Sequence, residues 1–107
     1  IGPRQLSAMK PTAFLINTSR GPVIDESALI TALETKLIGG AALDVYAQEP
    51  QVPSALTSRS DVVLLPHLGS ATLESRVRMG LICLTNIAAV LEGRPAPNPV
   101  NADVRKE

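Results

Sequence analysis

The sequence predicts an α/β fold, with three strands in a parallel sheet, flanking helices and one long C-terminal helix. Three observations carry this. Ala13-Phe14-Leu15-Ile16, Ala41-Ala42-Leu43-Asp44-Val45 and Val62-Val63-Leu64-Leu65 are short, mainly apolar runs closed by polar residues or proline, the pattern of buried parallel strands. A helical repeat separates the first two runs, as a crossover connection requires. Arg20, Asp44, Glu49 and His67 each follow or end a strand, and open α/β sheets bind ligands beyond the carboxyl ends of their strands.

Composition narrows the class. A chain of 107 residues has the length of one domain. It is 45% hydrophobic but only 2% aromatic, so the core must be aliphatic. Ten basic residues balance ten acidic ones and no run of like charge occurs, which argues against nucleic acid or an anionic membrane as partner. No apolar run approaches the roughly 20 residues needed to span a bilayer, and neither a signal peptide nor a metal site is expected. The lone Cys83 excludes an intrachain disulfide and fits a reducing, cytoplasmic compartment. The chain opens on Ile1 with a strand soon after, so a piece of a longer protein is expected.

In chain order, Gly2-Pro3 opens a helix, since proline suits the first helical position. Leu6 and Met9 share its apolar face, and Lys10-Pro11 ends it. The first strand, Ala13 to Ile16, runs into the polar loop Asn17-Thr18-Ser19-Arg20-Gly21. Asp25 is suited to cap a helix through Glu34 whose apolar face is Leu29, Ile30 and Leu33, with Gly39-Gly40 ending the segment. The second strand, Ala41 to Val45, carries Asp44 near its carboxyl end. Prolines and polar residues from Gln51 to Asp61 leave room for one helical turn around Ala55-Leu56. The third strand, Val62 to Leu65, is read as fully buried. After Ser70 or Thr72 a helix runs to about Glu92, with Val77, Leu81, Leu84, Ala88 and Leu91 on one stripe. Gly80 within it suggests a close neighbour, Met79 and Cys83 read as packing residues, and Gly93 and Pro95 stop it. The tail from Pro95 to Glu107 is expected to be poorly ordered on its own.

His67, the sole histidine, stands where a site would be built. One ring nitrogen can hold a partner while the other moves a proton. If Glu49 reaches it, the carboxylate orients the imidazole and stabilises its protonated form. Arg20 offers a planar fork suited to a carboxylate. Together these groups suit gripping an α-keto or α-hydroxy acid and moving a proton at its carbinol oxygen.

Three blocks of sequence resemble the D-isomer-specific 2-hydroxyacid dehydrogenases, and within them the glyoxylate/hydroxypyruvate reductases. They are Ile16 to Glu26, Gly40 to Tyr46 with Glu49-Pro50, and Leu65 to Thr72. The resemblance implies the second half of a Rossmann-like sheet. Residues 1–70 would be the C-terminal half of the NAD(P)-binding domain, and residues 71–107 a helix and tail returning to a substrate domain. It further implies that Arg20 binds the substrate carboxylate beside the nicotinamide, that His67 donates the proton with Glu49 as its partner, and that Asp44 bonds the carboxamide. Thr18, Ser19, Gly69 and Ser70 would line the nicotinamide end of NAD or NADP. The implied partners are a small 2-keto or 2-hydroxy acid and a second copy of the chain.

The G-x-G-x-x-G dinucleotide fingerprint does not occur in these 107 residues, so the resemblance is to the carboxyl-terminal third of the family. Two alternatives stand beside the enzyme: a dinucleotide-sensing corepressor of the same fold, and a folded fragment with no activity of its own.

Overall fold

In a computed structural model, which describes residues 1–101, the chain divides into two compact units, Ile1–Gly69 and Ser70 onward. The first unit holds helix α1 (Pro3–Ser7), strand β1 (Phe14–Asn17), a 3₁₀ turn (Gly21–Val23), helix α2 (Glu26–Glu34), strand β2 (Gly40–Leu43), the single turn α3 (Ser54–Thr57) and strand β3 (Val62–Leu64). The second unit is built on helix α4 (Leu73–Leu91).

The strands form one parallel sheet in the order β1-β2-β3. Phe14 pairs with Gly40 and Asn17 with Leu43, while Ala41 pairs with Val62 and Leu43 with Leu64. Both crossovers are satisfied locally. Asp25 caps α2 by accepting the Ala28 N–H at 3.0 Å. Arg59 grips Asp61 through both carboxylate oxygens at 2.8 and 2.7 Å and donates to the Leu33 carbonyl at 2.9 Å, which ties the start of β3 to the end of α2.

Leu6, Ile24, Leu29, Ala32, Leu33, Ile38, Ala41, Leu43, Tyr46 and Leu56 form the buried cluster. It lies on one face of the sheet. The expectation of strands buried on both faces is therefore corrected: Leu15, Val62 and Leu64 pack on the core, whereas Phe14, Ile16, Val63 and Leu65 are exposed. Alternate strand residues point to opposite faces, and the helices of this unit cover only one.

Helix α2 stops at Glu34, as the sequence predicts, and closes without a glycine. Lys36 takes the left-handed conformation (φ 55°), its N–H donates to Leu33 and that of Leu37 to Ala32. This is the double closure usually built on glycine, here made without one. Gly40 serves another purpose: a Cβ there would lie 2.4 Å from the Asp61 carbonyl oxygen.

In the second unit Thr72 caps α4 through the Ser75 N–H at 3.2 Å, and Gly93 (φ 72°) closes it, as the sequence predicts. The packing roles expected of Met79 and Cys83 and the close neighbour expected at Gly80 are not found: Met79 and Cys83 are exposed, and among the described residues nothing lies within 4 Å of a Cβ placed on Gly80. Val77, Leu81, Leu84 and Leu91 of the apolar stripe are exposed as well. Periodicity identifies the apolar face of a helix but not what covers it. The tail is tied back at Asn98, whose N–H donates to Asn86 Oδ1 at 2.9 Å; the rest of the tail expectation, residues 102–107, lies outside the described residues.

Candidate active site

The site forms at the carboxyl ends of the three strands. At the end of β1, Asn17 is 5% exposed and takes over the bonding of the backbone. Its Oδ1 accepts from the Ser19 N–H at 3.1 Å and from Ser19 Oγ at 2.9 Å, and its Nδ2 donates to the Arg20 carbonyl at 3.0 Å. This side-chain turn delivers the chain to Gly21, where a Cβ would lie 1.9 Å from the Tyr46 carbonyl oxygen. Only glycine lets the Arg20 loop pass so close to the loop after β2. Arg20 is exposed, with Nη1 donating to the Ser19 carbonyl at 2.6 Å. Thr18 and Ser19 are exposed beside it.

Beyond β2 the loop folds back on itself. The Glu49–Pro50 peptide is cis, and Glu49 Oε1 accepts the Tyr46 N–H at 3.1 Å. The Ala47 N–H donates to Glu26 Oε2 at 3.3 Å, which anchors the loop to the start of α2. With one oxygen so held, Glu49 turns the other to His67: Nδ1 and Oε2 lie 2.7 Å apart. The bond to His67, first, and the Tyr46 N–H, second, hold the Glu49 carboxyl below the usual carboxylate range; the Arg20 guanidinium adds a smaller push the same way. Because Nδ1 is engaged, Nε2 is the nitrogen left for a ligand.

Past β3 the ladder continues one rung, with the Leu65 N–H donating to the Leu43 carbonyl at 2.9 Å. The Tyr46 hydroxyl donates to the Leu65 carbonyl at 2.7 Å, and burial pushes its pKa upward. His67 then takes the left-handed conformation (φ 57°), which histidine adopts more readily than most residues. Asp44, 3% exposed, accepts the Leu68 N–H on Oδ1 and the Gly69 N–H on Oδ2, each at 2.7 Å. A mostly apolar cavity of about 350 Å³ opens beside the dyad, lined by Tyr46, Pro50, Val52 and Leu64 together with Glu49 and His67.

The structure thus brings Glu49 and His67 into contact, sets Arg20 within electrostatic reach of Glu49, and buries Asp44 under the His67 loop. Ser70 is exposed at the start of the second unit. Asn17, Gly21 and Tyr46 also build the site, though the sequence reading gave them no part. For Asn17 a signal was available, since an Asn in a polar loop commonly bonds the backbone N–H two residues on.

Comparison with known proteins places this arrangement. The family model for D-isomer specific 2-hydroxyacid dehydrogenase, NAD binding domain, matches residues 1–69. A glyoxylate reductase of Thermofilum pendens is 50% identical over 107 residues, covering 99% of this chain and 32% of that protein. A D-3-phosphoglycerate dehydrogenase of Synechocystis is 52% identical over 101 residues, covering 94% of this chain and 18% of that protein. Among solved structures, an NADPH-dependent glyoxylate/hydroxypyruvate reductase of Sinorhizobium meliloti, in complex with NADP and malonate, superposes with a TM-score of 0.91 at 43% identity. The match covers 94% of this chain and 31% of that one. The chain therefore spans about a third or less of these relatives. The stretch matched by the family model takes in all three strands and both members of the Glu49–His67 pair, and the chain belongs to the D-isomer specific 2-hydroxyacid dehydrogenase family.

Proposed function

We propose that this chain supplies the acid–base and substrate-gripping part of an NAD(P)-dependent oxidoreductase acting on a small 2-keto or 2-hydroxy acid such as glyoxylate or hydroxypyruvate. The observation that carries this is the Glu49–His67 pair, 2.7 Å apart at the carboxyl edge of the sheet, with Arg20 on the loop beside it. In the reducing direction His67, protonated, donates Nδ1–H to Glu49 and presents Nε2–H to the keto oxygen. As C2 is reduced, that proton moves to the oxygen and His67 is left neutral, with Glu49 holding the ring through Nδ1. Arg20 grips the substrate carboxylate through two parallel N–H bonds, which orients C2. A nicotinamide cofactor, when bound, supplies the hydride.

The residues fit the nicotinamide end of such a cofactor. Thr18, Ser19, Arg20, His67 and Gly69 are exposed along one strand-end face, and Ser70 follows them in sequence. Residues 1–70 are read as the C-terminal half of the cofactor domain and residues 71–107 as the segment returning to a substrate domain. The 52% identity to a phosphoglycerate dehydrogenase supports the broader acid class alongside glyoxylate. Among the described residues no helix is long and apolar enough to cross a membrane, and a cytoplasmic homo-oligomer is proposed.

The test is oxidation of NADH and NADPH by the full-length protein, presented in turn with glyoxylate, hydroxypyruvate and pyruvate. Substrate-dependent loss of the 340 nm absorbance with at least one pair is expected. A pure, folded protein that oxidises neither cofactor with any of these acids contradicts the proposal.

A further inference from the structure

We propose that Asn17 is a positioning residue for Arg20: its buried amide cross-links the turn that carries the guanidinium, and so sets where a substrate carboxylate is gripped. This rests on the carboxylate-gripping role proposed for Arg20. Asn17 is the last residue of β1, paired with Leu43, and its carbonyl accepts the Asp44 N–H at 3.0 Å, so its backbone belongs to the sheet. Its side chain, on a residue only 5% exposed, reaches forward along the turn. Oδ1 accepts the Ser19 N–H and hydroxyl, and Nδ2 donates to the Arg20 carbonyl at 3.0 Å. That carbonyl also accepts the Val23 N–H at 3.2 Å, so the Arg20 peptide is held from both sides. The guanidinium is tied into the same turn, with Nη1 donating to the Ser19 carbonyl at 2.6 Å. A chain of bonds thus runs from β1 through Asn17 and Ser19 to the guanidinium itself.

An amide suits this place chemically. One end accepts two donors while the other donates to a carbonyl; a carboxylate of the same shape could accept both but donate nothing. Arg20 and Ser19 are themselves exposed. An exposed arginine on an unbraced turn samples many conformations, and this freedom is given up when a carboxylate binds. Ordering the turn beforehand removes part of that cost, so its loss falls on substrate binding more than on the chemical step.

A double-mutant cycle in the full-length enzyme tests this, with hydroxypyruvate as probe and NADPH kept saturating because Ser19 is held by the same amide. Asn17→Ala is expected to raise KM for hydroxypyruvate about 3- to 10-fold, the worth of one pre-ordered side chain, with a smaller change in kcat. In an Arg20→Ala background it is expected to leave kcat/KM where Arg20→Ala alone sets it, since no guanidinium remains to be positioned. An equal loss of kcat/KM in both backgrounds, or a fall in kcat at unchanged KM, overturns the proposal. Wild-type KM in Asn17→Ala beside a raised KM in Arg20→Ala overturns the positioning role and leaves the gripping role standing. Wild-type KM in Arg20→Ala itself removes the gripping role and the proposal with it. Should Asn17→Ala fail to fold, amide hydrogen exchange in the unaltered protein decides. Ser19 lies exposed in a loop, yet its amide is expected to exchange well below the free-peptide rate. Unprotected exchange there contradicts the brace.

Discussion

At the scale of single residues, Glu49 carries the clearest electrostatic signature. His67 and the Tyr46 N–H both favour its charged form, so its native pKa lies below the unfolded value. A group lowered on folding stabilises the native state above its unfolded pKa and loses that contribution as pH falls through the native one. Carbon-detected NMR is expected to give Glu49 a midpoint below the usual value of about 4.3, returning toward it in His67→Ala. A midpoint at or above 4.3 in the native chain contradicts the pairing. Arg20 lends itself to a different test. Arg20→Lys keeps the charge but loses the planar fork, so in the full-length enzyme KM for the keto acid is expected to rise at least about 10-fold. An unaltered KM removes the carboxylate-gripping role. Both residues were legible in the sequence because each follows a strand, where topology alone brings side chains together. The bonds of Asp44 were not, because a side chain that holds backbone amides answers to the path of the loop and not to the identity of the residues it holds.

At the scale of elements, the site depends on how closely two loops approach. Gly21 permits that approach, with the Tyr46 carbonyl oxygen 1.9 Å from where a Cβ would stand. Gly21→Ala must push the loops apart, and overpacking of this kind costs typically about 1–3 kcal/mol. Urea unfolding is expected to show that loss, and the full-length enzyme to show weakened substrate binding as Arg20 moves away from His67. Wild-type stability in Gly21→Ala contradicts the close passage. The strands and helices themselves were readable to within a residue or two, from Asp25 as a cap to Gly93 as a stop. The way α2 closes was not, although its end at Glu34 was: Lys36 adopts a conformation that sequence reasoning assigns to glycine. Gly39 and Gly40 let β2 pass close to Thr12, Phe14 and Asp61.

For the molecule as a whole, the sheet has a dressed face and a bare one. Phe14, Ile16, Val63 and Leu65 stand exposed on the face opposite the core, and β1 and β3 are sheet edges. Such a surface favours association, at roughly 25 cal/mol per Å² of apolar area covered. Light scattering of the 107-residue chain is expected to show species larger than a monomer, reduced by Ile16→Lys; a monodisperse monomer contradicts this. Apolar runs announced these strands correctly but could not say that one face would lack a cover, since burial depends on neighbours and not on the run itself. The central claim is that His67, oriented by Glu49, moves the proton in the reduction of a 2-keto acid. Steady-state turnover of His67→Ala in the full-length protein, with NADPH and hydroxypyruvate, tests it most directly. The account predicts a kcat lower by about 10²–10⁴-fold at saturating NADPH, and near-normal turnover would contradict it.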